Sequence, residues 1–342
     1  MGYSEVYKSW QDDPEAFWMD QANAIDWVKP PSRALNADNA PLYEWFTDAQ
    51  VNACYNAVDR HVENGRADQT AIIYDSPITG KKGTTSFAEL QTQTASLAGA
   101  LRDQGIVSGD RVIIYMPMVP EALVAMLACA RIGAVHSVVF GGFAANELAV
   151  RIDDATPKAI IAASCGVEPG RVVAYKPLLD GAIDLATHKP HFTVILQRNE
   201  GPCDLIAGRD HDWHDVQDGV TPADCVPVSG DHPAYILYTS GTTGAPKGVV
   251  RPTAGHLVAL QWTMKSIYNV DPGDVFWAAS DVGWVVGHSY ICYGPLITGN
   301  TTVVFEGKPV GTPDAGTFWR VIEEHNVRSF FTAPTAFRAI KR

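Results

Sequence analysis

Through the middle of the chain, short stretches that are apolar at most positions alternate with helical patterns, and this alternation limits the fold more than any other feature. Residues 111–116 read as a strand buried on both faces, residues 120–132 as a helix stopped by Gly133, and residues 135–140 as a second buried strand. Strand, short loop, helix, short loop, strand is a right-handed parallel crossover. The pattern continues with strands expected at 159–163, 192–196, 234–238, 275–279, 301–305 and 329–332, and helices near 176–187 and 256–268. The expected fold class is α/β, with parallel or mixed sheets flanked by helices and ligands held at the carboxyl ends of strands.

The first third is less regular. Asp13-Pro14-Glu15 predicts a helix start, an acidic N-cap followed by Pro at the first helical position. Phe17, Trp18, Gln21, Ala24 and Ile25 then follow at helical spacing, and residues 27–39, with Pro30-Pro31, read as an extended connection. Residues 71–75 read as a short strand and 80–83 as a turn into another. Ser86 to Glu89 is a capping box. It opens a helix with Phe87, Leu90, Thr94, Leu97 and Leu101 on one face and Gly105 as its stop.

With 342 residues and 46% hydrophobic content the chain can bury a large core, and its 22 Pro and 29 Gly are dispersed, so it reads as folded throughout. A net charge of −12 argues against nucleic acid, which requires a basic stripe, while leaving room for small anions held by a few amides and one Lys. No stretch approaches the ~20 apolar residues of a membrane span. The start lacks the basic-then-apolar pattern of a signal peptide, and Val6 breaks the myristoylation pattern. The six cysteines are scattered without a CxxC pair and read as reduced thiols in or near the core, not as a disulfide framework or a zinc site. A soluble cytoplasmic protein is expected, with no nucleic acid or membrane partner and no metal held by the chain itself.

The stretch from Tyr238 to Gly248, Tyr-Thr-Ser-Gly-Thr-Thr-Gly-Ala-Pro-Lys-Gly, directly follows an expected strand. It places three Gly, four hydroxyl residues and one Lys within eleven positions. Such a loop can turn its amides toward one point, add hydroxyl donors and bring a mobile positive charge, which together cradle a polyphosphate. It is not a Walker loop, since Lys247 is followed by Gly248 and not by Ser or Thr. By composition alone it could equally be a plain connection. The literal string, however, resembles the signature phosphate loop of the adenylate-forming superfamily: acyl-CoA synthetases, peptide-synthetase adenylation domains and luciferases. That resemblance implies that Thr239, Ser240, Gly241, Thr242, Thr243 and Gly244 hold the β- and γ-phosphates of ATP, with Lys247 as the cationic candidate beside them.

Other segments narrow the resemblance, which covers essentially the whole chain. Pro14-Glu15-Ala16-Phe17-Trp18 with Ile25-Asp26-Trp27 resembles the N-terminal extension of acetyl- and propionyl-CoA synthetases. The implied organisation is a helical extension over 1–60 and a partial AMP-binding domain over 61–342. The run from Ala130 to Phe143 is similar to the same enzymes, in which the Phe140-Gly141-Gly142 turn receives coenzyme A; two glycines at a strand end also let a nucleotide approach the backbone. Arg171 is the second implied coenzyme A contact, weakened by Glu168, which stands where a positive charge is common. The segment from Asp281 to Tyr290 implies the acyl pocket. Bulky and branched residues beside glycine suit a small, dry slot for a short aliphatic acid. Trp284 matches the superfamily's mobile aromatic, and Val285 and Val286 match the pocket wall, where acetate enzymes usually carry Val-Thr. Replacing that hydroxyl by a methyl favours a longer acid, by tenfold or so. The segment looks most like propionyl-CoA synthetase. His288 could be a general base, although a packing or hydrogen-bonding role suits it better, because a carboxylate is already a nucleophile.

The implied reaction has two halves. A short carboxylate attacks the α-phosphate of ATP, presented with Mg2+, and the coenzyme A thiol then displaces AMP from the acyl-adenylate. Positioning and charge neutralisation carry the first half. The adenine-binding segment, the ribose-binding Asp and the catalytic Lys of the family have no counterpart in the 342 residues. The expectation is therefore a truncated form with exposed apolar surface and little activity alone. Three other readings stay open at this point: a non-catalytic nucleotide- or coenzyme-A-binding protein, an amino-acid adenylation domain, whose pocket Asp has no match between Trp284 and Tyr290, and a P-loop ATPase.

Overall fold

The structure, a computed structural model, describes residues 2–239 and 246–341. Two sheets form its centre. The larger contains β3 (Arg111–Tyr115), β4 (Val135–Val138), β5 (Ala159–Ala163), β6 (Phe192–Leu196), β7 (Asp210–Asp212), β8 (Pro233–Thr239) and β9 (Lys247–Pro252), in the order β7-β6-β5-β3-β4-β8-β9. The smaller contains β1 (Thr70–Ser76), β2 (Lys81–Ser86), β10 (Val275–Ala279), β11 (Thr301–Phe305) and β12 (Val327–Thr332), in the order β12-β10-β11-β1-β2. Each is parallel except for one antiparallel edge strand, β9 on β8 and β2 on β1. These are the mixed sheets expected from the apolar runs.

Helices α4 (Pro120–Arg131), α5 (Ala145–Ala155) and α6 (Tyr175–Leu185) make the crossovers of the larger sheet. The chain steps one way from β3 to β4 and the other way from β4 to β5 and β6. With right-handed crossovers, α4 lies on one face and α5 and α6 on the other. That is why β5 and β6 are buried at every residue. The helix α3 (Phe87–Asp103) packs beside α4 and opens on the expected capping box: the Glu89 amide donates to Ser86 Oγ at 3.2 Å, and the Ser86 amide to the Glu89 carboxylate at 2.7 Å. It closes through Gly105, whose amide bonds the Arg102 carbonyl while that of Ile106 bonds Leu101.

The N-terminal part differs from expectation in detail. Residues Tyr3–Asp12 form α1, which was not anticipated and buries nothing. Helix α2 (Pro14–Ala22) starts at the Asp13 cap but stops short of Ala24 and Ile25. The Trp27 indole N–H donates to the Ala22 carbonyl at 2.8 Å and closes the helix there. A helical stretch wound partly as π-helix follows over Tyr55–Asp59 and Val62–Arg66. It is tied to α4 by a buried pair, Arg131 donating to both Asp59 carboxylate oxygens at 2.7 and 3.0 Å. The Cys54 and Cys225 thiols flank that carboxylate. No helix among the described residues is long and apolar enough to cross a membrane.

Candidate functional site

Strand order places the site. In the larger sheet the chain direction reverses between β3 and β4, and in the smaller between β10 and β11; crevices for ligands open at the carboxyl ends beside such reversals. Here both reversals face one cavity of about 230 Å³. Pro117 and Met118 after β3, and Phe140, Gly141 and Gly142 after β4, line one side. Ser280 and Asp281 after β10, with Glu306, Gly307 and Lys308 after β11, line the other. Tyr175 at the start of α6 forms part of the wall.

The Phe140-Gly141-Gly142 turn is built tightly. A Cβ at Gly141 would fall 2.6 Å from the Tyr175 hydroxyl, and one at Gly142 2.7 Å from the Phe140 ring. The backbone therefore borders the cavity without side chains between, as a nucleotide or thiol-bearing arm running past it would need. Arg171 lies on the outer, mostly exposed strand of a two-stranded ribbon (Cys165–Glu168 with Arg171–Ala174) and gives its guanidinium to Glu168 at 2.6 Å. Glu168 lines the cavity and Arg171 does not.

The segment after β10 turns back against Phe140. A Cβ at Gly283 would lie 2.9 Å from the Phe140 backbone, and the Trp284 and Phe140 rings are 6.0 Å apart. The expected acyl segment and the expected coenzyme A turn thus meet. The slot expected at Trp284, Val285 and Val286 is not enclosed, however. Val286 packs against the core, whereas Trp284 (48% exposed) and Val285 (43%) open to solvent, and none of the three lines the cavity. The short turn of Val285–Gly287 presents one face outward and buries only Gly287.

His288 is fully buried, its Nδ1 3.0 Å from the Trp284 carbonyl and its ring against Tyr235 and His136. Burial pushes its pKa down to about 4, against the opposing pull of the Trp284 carbonyl. Buried against aromatic rings and outside the lining of the cavity, it packs and anchors the turn. Asp281 is the reverse case. Its Oδ1 accepts the Gly283 amide at 2.8 Å, and its dry surroundings push its pKa up to about 6, with that hydrogen bond and Lys308 opposing.

Of the phosphate loop, Thr239 ends β8 and Lys247 begins β9; they are register partners, and both are exposed. Ser240, Gly241, Thr242, Thr243 and Gly244 lie outside the described residues. Tyr238, one residue before Thr239, donates its hydroxyl to Asp154 at 2.6 Å. The Arg151 guanidinium lies 4.7 Å from the Phe143 ring and 5.6 Å from the Tyr238 ring. This stack links the strand entering the phosphate loop to the segment leaving the Gly141-Gly142 turn. Sequence reasoning missed it, because partners spread from 143 to 238 leave no local pattern.

Two family models match the chain. The family model described as AMP-binding enzyme matches residues 58–342, and that described as acetyl-coenzyme A synthetase N-terminus matches residues 3–57. A rat protein named acyl-CoA synthetase short-chain family member 3, mitochondrial, is 57% identical over 96% of this chain and 48% of its own length. A propionate–CoA ligase of Escherichia coli K12 is 44% identical over 100% and 54%, and an acetyl-coenzyme A synthetase of Laribacter hongkongensis 45% identical over 99% and 52%. The chain spans about half the length of these curated relatives. With the AMP-binding enzyme model covering most of its residues and the acetyl-coenzyme A synthetase N-terminus model nearly all of the rest, this chain belongs to the AMP-binding enzyme family.

Proposed function

We propose that the protein carrying this chain activates a short aliphatic carboxylate with ATP and transfers the acyl group to coenzyme A, with propionate preferred over acetate. The observation that carries this reading is the meeting of Phe140 and Trp284 beside the cavity shared by both sheet reversals. That contact sets the segment expected to hold the acid against the turn expected to receive the thiol. In this reading residues 1–60 are an extension that packs on the AMP-binding domain begun at 61. The loop from Thr239 to Lys247 receives the ATP phosphates with their Mg2+. Phe140, Gly141 and Gly142 border the pantetheine arm, and Arg171 is held back from the coenzyme A phosphates by Glu168. Trp284, Val285 and Val286 form one wall of an acyl slot. The branched Val286, with no hydroxyl, supports propionate over acetate. A cytoplasmic setting fits the free, mostly buried thiols.

The test is carboxylate-dependent ATP–pyrophosphate exchange by the protein at its full natural length, with acetate, propionate and butyrate. Exchange peaking at propionate is the expected result. Exchange peaking at acetate would remove the Val286 argument. Nucleotide or coenzyme A binding with no exchange from any carboxylate would leave a non-catalytic binding protein of the same fold.

A further inference from the structure

Three carboxylates line the cavity, and they are not alike. Glu306 accepts both terminal nitrogens of Arg198, at 2.8 and 3.0 Å, and also the hydroxyls of Tyr74 and Ser76. Glu168 is held by Arg171. Asp281 has no cationic partner within ion-pair distance among the described residues and accepts only the Gly283 amide, on Oδ1. Its second oxygen has no hydrogen-bond partner among the described residues, in a wall whose opposite side is the Gly141-Gly142 turn.

We propose that Asp281 is the general base of the thioester-forming step, taking the proton of the coenzyme A thiol as it enters along the Gly141-Gly142 turn. This inference rests on the function proposed above. The thiol proton passes to Asp281 Oδ2 and the sulfur lone pair attacks the acyl carbonyl carbon. The carbon–oxygen bond to the AMP phosphate breaks, its electron pair leaving on the phosphate oxygen. A base is useful because a free thiol is mostly protonated near neutral pH. A carboxylate that titrates near the working pH is far better matched to that task than an ordinary one. Glu168, Tyr175, Glu306 and Lys308 are the titratable groups that share the cavity with Asp281. The first and third are paired with arginines. A structural role alone, bracing the turn through the Gly283 amide, would need only the acceptor on Oδ1.

Asp281→Asn separates the two roles, because the amide oxygen still accepts from Gly283 while the side chain can no longer take a proton. In the full-length protein, supplied propionyl-adenylate would be reacted with coenzyme A in single turnovers between pH 5 and 8, beside propionate-dependent pyrophosphate exchange. Thioester formation is expected to fall by about 10²-fold or more. The inflection near pH 6 should disappear, with exchange falling by no more than a few-fold. Unchanged transfer, a surviving inflection, or equal losses in transfer and exchange would each overturn the proposal. Absence of exchange in the unsubstituted protein would instead bring down the proposed function, and this inference with it.

Discussion

Asp59 and Asp281 are both acids drawn away from bulk water, one beneath the N-terminal helical stretch and one beside the cavity. Asp59 is gripped by two nitrogens of Arg131, whose Nε also donates to the Ala223 carbonyl at 2.6 Å, so every element meeting there is satisfied. Among the described residues Asp281 has one backbone amide on Oδ1 and no partner on Oδ2. The fold neutralises the first and leaves the second raised in pKa. A raised carboxylate beside a cavity is the kind of group that functional sites hold, whereas a paired one is the kind that scaffolds hold. The paired acid should behave as structure and the unpaired one as a group tolerated at some expense to stability.

The largest expected effect is on the paired side. Arg131→Met keeps the apolar stem but leaves Asp59 buried without its cation, and should destabilise by about 3–5 kcal/mol. Urea unfolding should show a lower midpoint with an unchanged slope. Adding Asp59→Leu to the same protein should recover most of the loss, because the stranded charge goes with it. Should the single substitution lower stability by less than about 1 kcal/mol, the contrast between the two acids fails.

The unpaired acid should respond with the opposite sign. Its folded pKa lies above the ordinary 3.8, so the stability tied to it is present at low pH and lost as pH rises through about 6. Asp281→Asn should therefore stabilise the protein by about 2 kcal/mol at pH 7.5. That gain should fade toward pH 4, where the native carboxyl is protonated as well. Unfolding curves at the two pH values decide it, and a variant less stable at pH 7.5 would place Asp281 among the structural acids.

A smaller effect, on selectivity, is expected where the site meets its substrate. Val286→Thr restores the hydroxyl usual in acetate enzymes and should lower the propionate-to-acetate ratio of kcat/KM by about tenfold. Exchange rates at subsaturating acid measure it. An unchanged ratio would mean that the wall carrying Val286 does not touch the acyl chain, consistent with its lying outside the cavity, and would move the slot elsewhere.

Much of this arrangement was legible in the residues themselves. Strands buried on both faces, such as Ala159–Ala163 and Phe192–Leu196, announce themselves because nearly every position is apolar, and the helix of the capping box because its apolar positions repeat. The strand Lys247–Pro252 was not legible, because it is defined only by its partner across the phosphate loop. Helix α5 was missed too: Pro157 stands two residues past its end, but it opens on Ala144 with no capping side chain. At the site, the literal strings pointed to Phe140, Gly141, Gly142 and Trp284, whose segments meet. They did not single out Asp281, whose surroundings exist only where the ends of two sheets come together. The Glu168–Arg171 pairing across a Pro169-Gly170 turn was likewise hidden, because the run read as a motif and not as a hairpin.

The exposed limit of the same comparison is the capping box of α3, where polar groups are paired but water is at hand for each. Ser86 Oγ takes the Glu89 amide, and the Glu89 carboxylate returns to the Ser86 amide. Removing the hydroxyl leaves one helix-end donor to water and not to a dry interior, so the loss is the net worth of one hydrogen bond without a burial penalty. Ser86→Ala should cost about 1 kcal/mol in urea unfolding, several times less than Arg131→Met, although each removes one partner of a reciprocal pair. The ratio of the two losses measures how much of the Arg131 effect comes from the charge left behind. Similar losses would mean that water reaches Asp59 when its partner is removed, and that the paired acid is less sheltered than its neighbours make it.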